Sequence, residues 1–327
     1  MSPSRMPWLD NAKALLILLV VWGHLMERAA FSAPLFAGIY GAIYLFHMPA
    51  FVLLSGMVTP SQISGLGLMQ SMRRLLVPLV VFQILYWPVL GGSGDPLQPI
   101  WILWFLLSLA TWRLMLPVFI KLPFPVPLSI GIALAAGFVD AIDYTLSLSR
   151  TLVFFPAFLV GHLYSAQIAT LSQRARWPGV LLFVVLTVGA GTLAAKGADV
   201  TLLYGSRPYA ATEGTLLVPV VLRLAIILSG IIASVAFLSA VPRGSGLLTQ
   251  LGTRTMSVFL LHGFVVVAFW NAPAGALPGG PMGFLVLTGV LALLVSSLLA
   301  TIPLTLAGRG SIFSYRRSEE PPRSGQT

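Results

Sequence analysis

Long apolar runs recur along almost the whole chain, and charged residues or turns rich in glycine and proline separate them. A helix that crosses the hydrocarbon core of a bilayer needs about 20 mainly apolar residues. Windows of that length predict about ten transmembrane helices, over residues 11–29, 37–58, 75–92, 100–120, 125–141, 150–168, 178–195, 215–240, 254–271 and 282–307. The pattern therefore predicts an all-α fold, a polytopic helical bundle in a membrane.

The predicted helices leave little room for a soluble part. We expect residues 1–310 to form a single transmembrane domain, and residues 311–327, which are short and polar, to form a disordered tail. No small-residue cleavage site follows the first apolar run. We therefore expect that run to remain as a helix and not to be removed as a signal peptide.

Composition excludes several classes of protein. Hydrophobic residues make up 57% of the 327 residues and charged residues only 9%, whereas about a quarter of a soluble globular domain is charged. The chain has no cysteine, which excludes disulfides, thiolate nucleophiles and cysteine metal sites. The formal net charge is +10, but the basic residues lie at helix ends. They are better explained by membrane topology and lipid headgroups than by nucleic acid.

Basic residues divide unequally between the two sides of the predicted bundle. If the N-terminus is cytoplasmic, fourteen lysines and arginines fall on the cytoplasmic side and four fall outside. The fourteen are Arg5, Lys13, Arg73, Arg74, Arg113, Lys121, Arg174, Arg176, Arg243, Arg254, Arg309, Arg316, Arg317 and Arg323. The four are Arg28, Arg150, Lys196 and Arg207. Because cytoplasmic loops of multi-pass proteins are enriched in lysine and arginine, both termini are expected in the cytoplasm.

The first predicted helix carries two ionisable side chains, Lys13 and His24, eleven residues apart. Eleven residues make about three helical turns, so both side chains fall on one face, about 16 Å apart along the axis. This spacing places the amine at the membrane surface and the imidazole well inside. An ionisable group inside a membrane is costly and indicates a functional site. A hydrogen bond from His24 to a neighbouring helix is the alternative.

A second histidine, His47, lies in a similar apolar setting in the second predicted helix. A neutral imidazole is suited to take a proton from a hydroxyl that attacks an activated acyl group. Lys13, Arg73 and Arg74 fall at the cytoplasmic face, where they suit the phosphates of a soluble donor or serve as topological anchors. No two histidines have metal-ligand spacing, so no metal is expected.

Five further residues allow two interpretations each. Trp101 and Trp104 suit an interfacial aromatic belt, or alternatively a substrate groove. Ser55 and Gly56 suit close helix packing, or a donor channel with a hydroxyl in it. Arg223 lies inside an apolar segment, where it either extends to the surface or binds an anion within the membrane.

Motifs in five of the predicted helices, in this order, suggest a known family. They are the lysine-x10-histidine pair in the first helix, FHMPAFVLLSG in the second, RRLLVP at the start of the third, WILWFLLSL in the fourth and FFPAFLVGH in the sixth. Together they resemble the membrane-bound acyltransferase 3 family, and most closely its fucose 4-O-acetyltransferase-like branch. The resemblance extends from about Trp8 to His162, and VFLLHGF further along the chain gives weaker support.

The resemblance implies an integral O-acyltransferase of the bacterial inner membrane, with one acyltransferase domain over residues 1–310. Its donor would be cytoplasmic acetyl-CoA or another acyl-CoA, and its acceptor a hydroxyl of a glycan or glycolipid. Lys13 and His24 match the family's basic-x10-histidine pair, His47 its second-helix histidine, and Arg73 the basic motif before the third helix.

Two departures from the family pattern affect the site. The family's arginine-x-x-arginine is here Gln70 and Arg73 followed by Arg74, so either arginine is a candidate for binding the donor. The late glutamate of some members has no counterpart in the last three predicted helices, which contain no acidic residue.

A transporter or flippase for a small anion or a lipid-linked sugar is the competing hypothesis. Buried histidines and Arg223 would then relay protons or bind substrate. Many transporters consist of two corresponding halves with broken helices, and no matching halves are evident in this sequence. The two hypotheses differ in whether acetyl-CoA is consumed or a solute is moved without its consumption.

Overall fold

The computed structural model of the chain describes residues 6–60, 65–90, 95, 97–209, 217–272 and 280–304. Within those residues the regular structure is helical, with no strand. The helices are α1 Pro7–Met26, α2 Pro34–Met57, α3 Gly65–Leu90, α4 Trp104–Phe119, α5 Pro125–Ala135, α6 Leu148–Leu163, α7 Ser165–Arg174, α8 Arg176–Ala195, α9 Leu217–Ala240, α10 Leu247–Gly252, α11 Thr255–Trp270 and α12 Pro281–Leu299. The predicted tail, residues 311–327, lies outside the described residues.

Each of the ten predicted segments corresponds to an apolar helix. Eight of these are long and apolar enough to cross a membrane, counting the short helical turns that precede α4 and α6. The other two, α5 with its following turn (Pro125–Phe138) and α11 (Thr255–Trp270), are apolar but shorter. The prediction of an all-α polytopic membrane protein is confirmed.

Two helices were not predicted, because neither is an apolar run of about 20 residues. α7 has the sequence SAQIATLSQR and is too polar and too short to cross a bilayer. It occupies residues that the prediction had given to the end of the sixth segment, so α6 ends at Leu163 and not near residue 168. α10 has only six residues and packs beside the start of α1.

α2 lies in the middle of the bundle and packs against α1, α6, α8 and α9. Its closest approach is to α6, where Gly56 faces the backbone of Phe158 and Gly161 faces the backbone of Leu53. A methyl group added at either glycine would overlap the carbonyl oxygen opposite it. This geometry confirms the helix-packing interpretation of Gly56, because only a residue without a side chain permits backbones to come this close.

Side chains of the first turns of α1 hold the end of α9 and the segment that follows it. The indole nitrogen of Trp8 donates to the carbonyl of Leu238 at 3.1 Å. The amide of Asn11 donates to the carbonyls of Pro242 and Gly244, each at 2.8 Å. The start of α1 and the end of α9 therefore lie at the same end of the bundle, and His24 lies toward the other end.

Candidate active site

His24 lies in the last turn of α1, and its Nδ1 atom is 3.0 Å from Oε2 of Glu27, the residue that caps the helix. Residues three apart on a helix share a face, which brings the two side chains together. A carboxylate on Nδ1 orients the imidazole and assigns the proton to that nitrogen, so Nε2 is available to accept a proton. The pair has the arrangement of an oriented general base.

His24 lies near the end of α1, which begins at Pro7 and ends at Met26. Its depth in the membrane stays a prediction. Glu27 was missed as its partner, although the i, i+3 spacing in the segment HLME was a readable signal. The expected separation of Lys13 and His24 along one helix face is unaffected, because both lie within α1.

Rings from three other parts of the chain surround His24. The Trp101 ring is 4.6 Å away and the His262 ring is stacked at 5.5 Å, measured between centroids. The Tyr44 hydroxyl is 3.4 Å from His24 Nδ1. His262 itself donates from Nδ1 to the carbonyls of Val258 and Phe259, and its buried Nε2 has no hydrogen-bond partner within the described residues.

His47 is buried, and the Tyr44 ring neighbours both His47 and His24. Its Nδ1 donates to the carbonyl of Ile43 at 3.0 Å, and its ring lies 4.4 Å from that of Tyr44. It is also within electrostatic range of His24. The structure thus places His262, and not His47, directly against His24; the sequence had given His262 no role.

Trp101 lines the site in a strained backbone conformation. Its φ is +41°, a region that residues with bulky side chains rarely adopt and that is often found at functional sites. Its ring also packs against Trp270 at 5.1 Å. These contacts favour the groove interpretation of Trp101. Trp104 is buried and stacks on Phe154 at 5.4 Å, so the aromatic-belt interpretation does not describe it either.

Lys13 is only 3% exposed, and its Nζ lies 2.6 Å from Oδ1 of Asp10. The amine therefore lies inside the protein in an ion pair, and its predicted position at the level of the membrane surface stays a prediction. Lys13, Ile17, Val20 and His24 follow one another at spacings of four, three and four residues, which places all four on one face of α1.

An apolar cavity lies beside this face, between Lys13 and His24. Ile17 and Val20 line it from α1, together with Met48, Phe51, Phe105, Leu106, Leu109, Thr255, Met256 and Phe259. The cavity has a volume of only about 20 Å³, which is room for one or two water molecules. The cavity is narrow and apolar, and it separates an ion pair at one level of α1 from an imidazole at another.

The two candidate donor-binding arginines have different surroundings. Arg73 is exposed, whereas Arg74 is partly buried and within electrostatic range of Arg113. Arg113 is 6% exposed and donates from Nη1 to Ser71 Oγ at 2.6 Å. In the sequence, Arg113 served only as evidence for the orientation of the bundle. In the structure, the packing of α4 on α3 brings Arg113 beside Arg74.

Arg223 and His162 lie away from His24. The Arg223 guanidinium is 4.3 Å from the centre of the Tyr209 ring and donates to the carbonyls of Ala133 and Arg207 at 3.3 and 2.5 Å. It belongs to the second turn of α9, which favours extension toward the surface. His162 lies in the last turn of α6, near the backbone of Gly56 and Thr59.

Comparison with protein families agrees with these features. A family model described as an acyltransferase domain, that of acyltransferase 3, matches residues 6–302. No curated protein and no solved structure matches the chain. The match does not distinguish branches of the family, so the fucose 4-O-acetyltransferase-like branch stays a prediction. Residues 6–302 include every helix described above, and the chain belongs to the acyltransferase 3 family of membrane acyltransferases.

Proposed function

We propose that the protein is an O-acyltransferase that moves an acyl group, normally acetyl, from cytoplasmic acyl-CoA to a hydroxyl of a glycan or glycolipid. The observation that carries this proposal is the His24–Glu27 pair, which shares one face of α1 with Lys13 and with two residues, Ile17 and Val20, that line an apolar cavity. The reacting groups would meet at His24. The acyl-CoA would enter from the side of Lys13, Arg73, Arg74 and Arg113.

His24 is the proposed general base, with His47 or His262 supporting it. Nε2 takes the proton of the acceptor hydroxyl while that oxygen attacks the thioester carbonyl. Glu27 stays bonded to Nδ1 and stabilises the positive charge that the imidazole acquires. The carbon–sulfur bond then breaks, and Nε2 returns the proton to the leaving sulfur. No covalent protein intermediate is needed, which agrees with a chain that has no cysteine.

The dimensions of α1 suit this division of roles. Lys13 and His24 are about 16 Å apart along the helix axis, a reach that a pantetheine arm can cover. Ile17 and Val20 make the wall between them apolar, which suits an uncharged acyl thioester. Phosphates of the donor would compete with Asp10 for the Lys13 amine, and Arg74 with Arg113 forms a second cationic position for them.

Consumption of acetyl-CoA tests the proposal. We expect purified protein to release free CoA thiol in the presence of a hydroxyl acceptor; a thiol reagent can follow this directly, since the protein has no cysteine. Lys13→Gln, Arg74→Gln and Arg113→Gln should each raise the KM for acetyl-CoA by tenfold or more, because a charge-assisted hydrogen bond contributes about 1.5–3 kcal/mol.

Arg73→Gln is the matched comparison for these variants, since Arg73 is exposed and should have the smallest effect on the donor. The KM for the acceptor should change little in all four. Movement of a solute without release of CoA would favour the transporter hypothesis. Unchanged donor KM in every variant would show that these residues are topological anchors.

We further propose that the protein lies in a bacterial inner membrane with both termini in the cytoplasm. The count of fourteen basic residues against four supports this orientation. Single cysteines at Asp95 and Lys196 should react with an impermeant thiol reagent applied outside the cell. Cysteines at Gln70 and Arg174 should react only after permeabilisation. The reverse labelling pattern would show that the bundle has the opposite orientation, with the donor on the other side of the membrane.

A further inference from the structure

Three of the four basic residues assigned to the outer side contact aromatic side chains. Arg28 lies over the Trp270 ring at 4.8 Å and donates to the Trp270 carbonyl at 2.9 Å; Trp270 in turn packs on Trp101. Arg150 and Arg207 both contact Tyr144. Since outer loops of multi-pass proteins are poor in arginine, the ordered contacts of these arginines call for a role other than topology.

Arg150 is the central member of this set. Its guanidinium lies 5.2 Å from the centre of the Trp104 ring and 5.3 Å from that of Tyr144. It is within electrostatic range of Glu27, Tyr44 and Tyr204. Arg150, Tyr44 and Tyr204 are here called the Arg150 cluster. Glu27 and Tyr44 contact His24, so the cluster borders the proposed base.

The guanidinium of Arg150 has unused donors. Within the described residues it makes no hydrogen bond and no ion pair, although it is partly buried. Arg28 and Arg207 likewise form no ion pair in that part of the chain. An arginine carries five N–H donors in a fork that matches a carboxylate or a phosphate. Stacking on two rings orients this fork and leaves its edge available.

Within the described residues no carboxylate forms an ion pair with these arginines, although Glu27 is within electrostatic range of Arg150 and Asp199 within that of Arg207. The carboxylate of Asp143 accepts from the backbone N–H of Thr145 at 2.8 Å, and that of Asp199 accepts from Thr201 at 2.9 Å. Both therefore hold turns. Burial raises the pKa of Tyr204 to about 12, so its phenol is neutral and can donate a hydrogen bond. The Arg150 guanidinium thus offers hydrogen-bond donors to an anion, while the nearby Glu27 carboxylate is held by His24.

We propose that the Arg150 cluster binds an anionic group of the acceptor, a carboxylate or a phosphate, and so presents a neighbouring hydroxyl to His24. This inference rests on the proposed function and narrows its substrate to acidic glycans or glycolipids. Arg150 is the specificity-determining residue. Arg207, which is exposed and donates to the Tyr144 hydroxyl at 3.3 Å, adds charge at the edge of the cluster.

Matched pairs of sugars test the proposal by binding, without turnover. Methyl β-D-glucuronide is compared with methyl β-D-glucoside, and glucose 6-phosphate with glucose, by tryptophan fluorescence titration of the full-length protein. In at least one pair we expect the charged member to bind about tenfold more tightly, as a charge-assisted bidentate contact predicts. The pair with the larger preference identifies the group as carboxylate or phosphate. Equal binding within both pairs, or none, overturns the proposal.

Variants of the outer basic residues show which side chain causes the preference for the charged sugar. Arg150→Gln should abolish it, and Arg150→Lys should keep part of it because the charge stays while the fork is lost. Lys196→Gln is the matched control, since Lys196 is the remaining outer basic residue and its side chain is exposed. If Arg150→Gln fails to fold, Arg207→Gln should still reduce the preference. A preference that survives in Arg150→Gln and Arg207→Gln contradicts the assignment.

Acyl transfer to the same sugars tests this inference and the proposed function independently. CoA release with a preference for the charged sugar that depends on Arg150 supports both. Transfer that is equal for charged and neutral sugars overturns the Arg150 assignment alone. Binding that depends on Arg150 without any release of CoA supports the anion site and contradicts the acyltransferase proposal.

Discussion

Replacement of His24 by alanine should lower the rate of acyl transfer by about two to four orders of magnitude, the usual contribution of a general base. The imidazole contacts each of the other parts of the site, namely Glu27, Tyr44, Trp101 and His262. Although its side chain is only 14% exposed, we expect folding and membrane insertion to persist, because His24 lies in the last turn of α1. The measurement is the kcat for CoA release from acetyl-CoA.

Other histidines serve as comparisons for His24→Ala. His162→Ala is the matched control, because His162 lies in the last turn of α6, near Gly56 and Thr59, and away from the proposed base. His47→Ala and His262→Ala should have smaller effects than His24→Ala, since their Nδ1 atoms bind backbone carbonyls. Full activity in His24→Ala would contradict the catalytic assignment. A comparable loss in His47→Ala alone would move the base to α2.

Glu27→Gln should reduce kcat at least about tenfold, and by no more than His24→Ala does, because Glu27 acts only through the imidazole. Glutamine keeps the size of the side chain but removes the charge that stabilises the protonated ring. We therefore expect the KM for acetyl-CoA to stay close to that of the wild type. The measurement is kcat and KM for each variant over the same range of donor concentration.

A double variant gives the sharper result. If Glu27 only positions His24, His24→Ala with Glu27→Gln should be no slower than His24→Ala alone, since residues that act as a unit are not additive. Asp140→Asn is the matched control, an exposed acid in the loop before α6. Independent losses that multiply in the double variant would show that Glu27 acts elsewhere, for example on the acceptor.

The sequence by itself determined the membrane fold and the geometry within single helices. Apolar runs of fixed length predict spanning helices, because an isolated backbone must satisfy its own hydrogen bonds in lipid. Regular helical geometry likewise places Lys13 and His24 on one face whatever surrounds them. The His24–Glu27 contact also depends only on local spacing, so it was predictable from the sequence, even though it was missed.

Tertiary structure alone decided the rest of the site. His262 stacks on His24 from 238 residues further along the chain, and Arg113 joins Arg74 across two helices. Arg150 faces Glu27 and Tyr44 because α6 packs on α2, where Gly56 and Gly161 let the backbones come close. Hydropathy and helical period determine which residues face inward, but they do not determine which helices are neighbours. Contacts between helices depend on the shapes of whole packed surfaces, and only folding brings those surfaces together.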